Sequence, residues 1–295
     1  MVRKVSILLP ALNEVGPIVK VLAGLSELAK EREGREIYEF IVIDDGSTDG
    51  TGDAARAAGA RVVRHPYNIG NGAAVKSGIR AAGGDVVLLM DSDGQHVPAD
   101  VPRLLEHIDE HAMVVGARRK GSQAGLHRAL ANALYNRLAT YVTGRKIPDL
   151  TSGFRAIRAD VARRFLYLLP NAFSYPTTLT LACFKTGLPV SFVPIDVKKR
   201  EGKSKIKLIK DGTRFLLIIL KIATFFSPLR IFLPLSVMSF VLGLGYYGYT
   251  YATAHRFTNM SMLLIVQAVI LFALALISEQ IAQLRFDRSE TQVRS

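Results

Sequence analysis

Short apolar, β-branched runs punctuate the first half of the chain, each closed by turn-forming residues and followed by a helical pattern. Lys4-Val-Ser-Ile-Leu-Leu-Pro10 is the first, ended by proline, with a helix predicted from there to about Glu33. Tyr38 to Ile43 repeats the strand signal and runs into Asp44-Asp-Gly-Ser-Thr-Asp49-Gly, rich in turn and capping residues, before the alanine-rich Asp53 to Ala58. Arg61 to Arg64 predicts a third strand, Gly72 to Ala82 a helix, Asp85 to Met90 a fourth strand and His111 to Gly116 a fifth. His127 to Tyr141 and Ala159 to Leu168 read as helices, and Pro189 to Val197 as a last strand. This alternation predicts an α/β fold, a mainly parallel central sheet with helices on both faces. Open sheets of this kind bind ligands at the carboxyl ends of their strands. The loops at Asn13-Glu14, Asp44-Asp45 and Asp91-Asp93 are therefore expected to converge.

The pattern changes in the last third. From Ile231 to Ala254 there are 24 residues without a charge, and from Phe257 to Ser278 there are 22, separated only by His255 and Arg256. At 1.5 Å per residue either run spans a hydrocarbon core of ~30 Å, so the sequence predicts a two-helix transmembrane hairpin. Lys207, Lys210, Arg214 and Lys221 recur among Ile, Leu and Phe residues at spacings suited to amphipathic helices in the membrane interface, broken near Ser227-Pro228. The expected organisation is an α/β domain over 1–203, interfacial helices over 204–228, the hairpin over 229–284 and a tail over 285–295. The basic run before the first span, with Arg285, Arg288 and Arg294 after the second, predicts a cell-membrane protein with its α/β domain and both termini in the cytoplasm.

Composition sharpens this reading. The net charge of +13 over 295 residues admits nucleic acid, anionic lipid or phosphorylated partners. Seven basic residues against one acidic lie between Lys198 and Lys210, beside the spans, which favours a lipid surface and argues against nucleic acid. The single Cys183 excludes an internal disulfide framework and fits a reducing compartment. Met1-Val-Arg-Lys leads straight into a run too short for a secretory signal.

The candidate chemistry centres on Asp85-Val-Val-Leu-Leu-Met-Asp-Ser-Asp-Gly-Gln-His96, an apolar strand ending in two carboxylates one residue apart. Asp91 and Asp93 repel each other unless a cation lies between them. Hard oxygen donors suit Mg²⁺ or Mn²⁺, with Gln95 as a third ligand, and such ions complete their shell with water and phosphate oxygens. The competing reading is a solvated, Asp-rich turn. Asn68-Ile-Gly70-Asn-Gly72 lacks the dinucleotide spacing, and its glycines serve either a phosphate approached by backbone or a plain turn. Asp45, Ser47, Asp49 and Gly50 begin like a calcium loop, but Arg56 stands where that loop needs Glu. Arg118, Arg119, Lys120 and Arg128 suit either a solvated face or phosphate oxygens. Asp149-Leu-Thr-Ser-Gly-Phe-Arg155 reads as a substrate loop, with a turn before the next helix as its alternative.

Pro10-Ala-Leu-Asn-Glu14, Asp44-Asp-Gly-Ser-Thr-Asp49, Asn68-x-Gly-x-Gly72, Asp91-Ser-Asp-Gly-Gln95, Asp149-x-x-Ser-Gly-Phe-Arg155 and Arg200-x-Gly-x-Ser-Lys205 occur in the order seen in family 2 glycosyltransferases. The chain resembles the polyprenyl-phosphate members of dolichol-phosphate mannose synthase type. That resemblance implies a GT-A fold and inverting, metal-dependent transfer of one sugar from a nucleotide-diphosphate sugar, of GDP-mannose or UDP-glucose type, to a polyprenyl phosphate. It also implies nucleotide and donor contacts by Pro10, Ala11, Asn13, Glu14, Asp44 or Asp45, Gly72, Asp91, Ser152 and Lys205. Asp91, Asp93 and Gln95 would bind the metal, and Arg118, Arg128 and Arg200 would act on donor or acceptor phosphates around Asp93. Asn71 and Ser174-Tyr-Pro-Thr-Thr178 depart from the pattern of many relatives. The absence of tryptophan rules out the QxxRW motif of processive synthases. A hydroxyl acceptor, or an inactive nucleotide-sugar binding protein, is the alternative reading; a homo-oligomer is compatible with either.

Overall fold

The computed structural model describes residues 2–119, 126–171, 175–197 and 224–291. They divide into two compact units, one built on a sheet and one on a helical hairpin.

The sheet unit follows the predicted alternation. β1 (Arg3–Ala11), α1 (Val15–Glu31), β2 (Glu36–Asp44), α2 (Thr51–Ala57), β3 (Arg61–Arg64), α3 (Asn71–Ala81) and β4 (Val86–Leu89) come first. α4 (Val101–Leu105), β5 (Met113–Arg118), α5 (Leu126–Thr143), β6 (Arg155–Arg158), α6 (Ala159–Arg164), α7 (Tyr175–Lys185) and β7 (Val190–Ile195) complete it. The seven strands lie in the order β3-β2-β1-β4-β6-β5-β7. All neighbours are parallel except β6, which runs antiparallel to both β4 and β5.

β1 is central and buried on both faces, and its alternation sorts the core. Val5, Ile7 and Leu9 join Leu22 and Leu25 of α1 and Leu104 of α4 in one layer. On the other face Leu8 and Ile43 press against α3 at Gly78, where a Cβ would come within 2.9 Å and 2.8 Å of their terminal methyls. Only glycine lets the helix lie that close to the sheet. Two buried layers on a twisted sheet leave one edge free for polar loops. That edge holds the carboxyl ends of β1, β2, β3, β4, β5 and β7 and, because β6 is reversed, the residues that lead into it.

The stretch from Asp149, read as a substrate loop, leads at Arg155 into a strand that the pattern did not signal. Arg155-Ala-Ile-Arg158 is four residues flanked by arginine and carries no periodicity to read; its register, Leu89 opposite Arg155 and Val115 opposite Arg155, comes from the gap between β4 and β5. The helix expected to reach Leu168 ends at Arg164 and continues as a 3₁₀ turn. α4 and α7 were also silent in the sequence, the first because it is five residues long and the second because nearly its whole length is buried.

The hairpin unit contains α8 (Leu229–Ala254) and α9 (Asn259–Thr291). Within them Leu229–Ala254 and Asn259–Leu284 are long and apolar enough to cross a membrane. His255, in the left-handed conformation, ends α8 and turns the chain. The seam is made of small residues: Ser236, Ser239, Gly243 and Thr250 on α8 face Ser261, Ala268, Ala275 and Ala282 on α9. The α9 set repeats every seven residues, the period of a left-handed helical pair. Ser236 donates to the Ala268 carbonyl (2.8 Å) and Ser239 to that of Leu264 (2.9 Å). Small residues and hydroxyl bridges suit association in lipid, where apolar burial supplies no drive. Val241, Leu242, Leu263, Val269 and Ile277 point outward, more than half exposed. An apolar surface of this extent along two helices long enough to cross a bilayer suggests a membrane protein.

Candidate active site

The loop after β1 is the hinge of the polar edge. Asn13 takes a left-handed conformation (φ 55°), which asparagine tolerates better than most residues. Its N–H donates to Ser47 Oγ (3.0 Å), and its Oδ1 accepts from the Thr48 N–H (2.9 Å). The first N–H groups of α1 find no cap in their own segment. They are satisfied from the β2 loop instead: Glu14 N–H donates to Thr51 Oγ1 (2.9 Å) and Val15 N–H to Asp49 Oδ2 (3.2 Å). The Asp-Gly-Ser-Thr-Asp-Gly-Thr stretch is therefore a capping device acting across two loops. Burial alone would raise the Asp49 carboxyl, but bonds from Thr51 and Val15 outweigh it and hold it below its usual range.

Asp44 and Asp45 lie inside the same wall. Asp44 is fully buried; one oxygen accepts from the Ser47 N–H (2.8 Å), and the other packs against Gly52 and lies 3.4 Å from Arg64 Nε. Asp45 accepts from the Ile69 (3.0 Å) and Gly70 (2.9 Å) N–H groups and meets His65 Nδ1 at 2.7 Å. With the proton on Nδ1, His65 donates to Asp45 while its Nε2 accepts from the Ser77 hydroxyl, 2.9 Å away. Both carboxylates are thus engaged in shaping the turns, Asp45 fixing the glycine loop that leads through Gly70 into α3. Gly72 is buried in the first turn of that helix.

The β4 loop lies beside the first. Ser92 Oγ donates to the Pro10 carbonyl (2.8 Å), and the Asp45 N–H donates to the carbonyl of Ala11 (3.0 Å), so the ends of β1, β2 and β4 are tied together. The expected convergence of these three loops is what the chain adopts. Asp91 is the partly open carboxylate, its side chain 39% exposed. Burial would raise its carboxyl, yet His96 and the charges of Arg118 and Arg155 outweigh that and keep it ionised. Asp93 accepts from the Gln95 N–H (3.1 Å), which closes the turn on which both residues sit.

The third wall comes from the stretch entering β6. The Gly116 N–H donates to the Phe154 carbonyl (2.9 Å), which sets Ser152 and Gly153 against the β4 loop. A Cβ on Gly153 would stand 2.7 Å from Asp91 Oδ2, so the carboxylate rests on bare backbone there. Ser152 is buried, its hydroxyl without a hydrogen-bond partner among the described residues. Arg118 spends most of its fork inside the protein: Nε and Nη2 donate to the two oxygens of Asp149 (2.7 Å and 3.0 Å), and Nη2 also reaches Thr151 Oγ1 (2.6 Å). Arg155, fully buried, donates to the Pro176 carbonyl (2.7 Å), to Thr180 Oγ1 (3.2 Å) and to the Ser152 carbonyl. It is a strut between this loop and α7.

The donor set fits a hard divalent cation. Asp91, Asp93 and Gln95 offer only oxygen, and among the described residues no three His, Cys, Asp or Glu side chains group closely enough to hold a metal alone. An ion here would draw the rest of its shell from phosphate and water. Lys120, Ser174, Arg200, Lys205 and the predicted interfacial segment up to residue 223 lie outside the described residues, as does the side chain of Arg128. Sequence reasoning missed His65, Ser77, Asp149 as the partner of Arg118, and Arg155 as a strut. None carries a local signal, because each acts on a residue brought near by the sheet.

Residues 6–166, more than half of the chain, match the model of Glycosyl transferase family 2, and residues 227–284 match the GtrB C-terminal hairpin. The undecaprenyl-phosphate 4-deoxy-4-formamido-L-arabinose transferase of Klebsiella pneumoniae (strain 342) is 32% identical over 188 residues, 59% of this chain and 57% of that protein. Its counterpart from Photorhabdus laumondii is 29% identical over 222 residues, 71% of this chain and 65% of the other. The chain thus spans about three fifths of these relatives' length. Glucosyl-3-phosphoglycerate synthase from Mycobacterium tuberculosis, solved with Mn²⁺, UDP-glucose and phosphoglyceric acid, superposes with a TM-score of 0.61 at 26% identity, over 75% of this chain and 80% of that one.

Proposed function

We propose, on the premise that this chain belongs to glycosyl transferase family 2, that it transfers one sugar from a nucleotide-diphosphate donor to a polyprenyl phosphate at the cytoplasmic face of a membrane. The observation that carries this reading is the meeting of the 10–14, 91–96 and 149–154 segments at one sheet edge, in a chain that also ends in a lipid-suited hairpin. Curated relatives that act on undecaprenyl phosphate, and a structural neighbour that binds Mn²⁺ and UDP-glucose, support it.

The nucleotide lies along Pro10, Ala11, Asn13 and Glu14 and the turn at Gly72, with Asp44 and Asp45 acting through the loops they fix. Asp91, Asp93 and Gln95 would hold a divalent cation, Mg²⁺ or Mn²⁺, which would supply positive charge where the departing diphosphate develops its negative charge. Arg118, anchored on Asp149, lends its charge to the same place, and Arg128, Arg200 and Lys205 bind phosphate oxygens of donor or acceptor. A phosphomonoester acceptor, with a second pKa of about 6, is already a nucleophile at neutral pH and needs no general base. Displacement at the anomeric carbon then inverts configuration. The basic residues flanking the spans keep both chain ends cytoplasmic, where the hairpin holds the enzyme at the bilayer that carries its acceptor.

The test incubates the detergent-purified chain with a panel of nucleotide sugars, Mn²⁺ and a polyprenyl phosphate, and weighs the lipids. The expected product is the acceptor plus one sugar, lost on Asp93→Ala. Sugar found only on hydroxyl-bearing acceptors would overturn the proposal.

A further inference from the structure

His96 is the buried polar group that the transfer reaction sketched above leaves without work. β4 ends at Leu89, Asp91 follows two residues on, and the chain reverses through Gly94, whose φ of +74° suits glycine. The reversal returns His96 to the side of Asp91. Its Nε2 lies 3.7 Å from Asp91 Oδ2, and its side chain is only 6% exposed. The ring lies flat on Phe154, centroids 4.9 Å apart and planes within 17°. Phe154 is in turn fixed through its carbonyl to Gly116. The second ring nitrogen, Nδ1, is buried with no hydrogen-bond partner among the described residues.

A residue needed only to stack on Phe154 would be phenylalanine, because burying a lone ring nitrogen costs about 1–3 kcal/mol. With Nδ1 unpartnered among the described residues, the polar function open to this ring is that of Nε2, which faces Asp91. That nitrogen faces the Asp91 carboxylate at 3.7 Å, and Gly153 leaves open the space beside the same oxygen that a Cβ would fill. We propose that His96 is a positioning residue: its Nε2–H, 3.7 Å from one oxygen of Asp91, closes on that oxygen when a divalent cation binds, so that the carboxylate presents itself in a single orientation. Carboxylates that ligate metals are themselves hydrogen-bonded, and loss of such an outer partner costs about 10–100-fold in metal affinity. The inference rests on Asp91 being a metal ligand and adds to that reading a residue acting only through it.

Two substitutions separate the nitrogen from the ring. His96→Phe keeps the stack on Phe154 and removes Nε2, and His96→Gln returns a donor without the ring. The full chain in detergent is titrated with Mn²⁺ in the presence of UDP or GDP, following free Mn²⁺ by electron paramagnetic resonance, with thermal midpoint and metal-free nucleotide binding measured alongside. His96→Phe is expected to weaken Mn²⁺ binding by about 10–100-fold and to raise the Mn²⁺ concentration needed for half-maximal transfer, with kcat at saturating Mn²⁺ changed far less. Its midpoint and metal-free nucleotide binding stay at wild-type values, and His96→Gln recovers part of the affinity. Wild-type Mn²⁺ affinity in His96→Phe overturns the inference alone. So does a loss of affinity that comes with a lowered midpoint and is not recovered by His96→Gln. A wild-type chain that binds no Mn²⁺ with either nucleotide overturns the metal reading and this inference with it.

Discussion

At the scale of single residues, Asp49 shows how a motif that reads as binding chemistry can be doing structural work. Its two oxygens accept from Val15 at the start of α1 and from Thr51 at the start of α2. Asp49→Ala removes a cap shared by both helices and is expected to cost about 1–2 kcal/mol. Because the folded carboxyl titrates below its unfolded range, that contribution is fully present above about pH 4 and disappears as pH falls through the lowered folded value. Thermal midpoints of wild type and variant should therefore differ at pH 7 and approach each other in acid; a gap independent of pH would contradict the cap. Gly153→Ala tests the opposite kind of residue. A methyl 2.7 Å from Asp91 Oδ2 must displace that carboxylate, and misplacement on the order of 1 Å costs about 10²-fold in rate. Transfer should fall by that factor while the melting curve stays put. Asp91 and Asp93 were legible in the sequence because a strand end followed by turn residues is a local signal. The Asp45–His65–Ser77 chain was not, since its members are twenty and twelve residues apart and meet only after two crossovers.

At the scale of elements, the reversed strand is the part that local reasoning could not reach. β1 to β4 announce themselves by apolar runs bounded by turn residues, whereas β6 is defined by the slot it fills. Arg155 secures that slot: it carries the carbonyls of Ser152 and Pro176, burial lowers its pKa from the usual arginine value, and no carboxylate among the described residues pairs with it. Arg155→Met keeps most of the volume and leaves both carbonyls unmet, at about 1–3 kcal/mol each. The expected result is a lower thermal midpoint and faster proteolysis within 149–154; an unchanged midpoint would remove Arg155 from its role as a strut. The hairpin sits at the other extreme. Its two helices were readable from length and charge alone, while the seven-residue repeat of Ser261, Ala268, Ala275 and Ala282 acquires meaning only once the partner helix is seen.

At the scale of the whole molecule, a polar sheet unit and an apolar hairpin unit are joined in one chain. With helices that expose hydrocarbon side chains along two spans, the protein should stay in the membrane pellet after extraction with alkaline carbonate and be released only by detergent; release by carbonate alone would mean that the spans do not insert. The reversal of β6 has a wider consequence. β5 ends and β6 begins side by side, the Gly116 N–H bonded to the Phe154 carbonyl, so the polypeptide between them leaves and rejoins the same rim. Such a detour can lengthen or be swapped for another of different make at a closure penalty of only about 0.6 kcal/mol per doubling. Such variation can accumulate while Asp91 and Asp93, on the loop after β4, stay where they are.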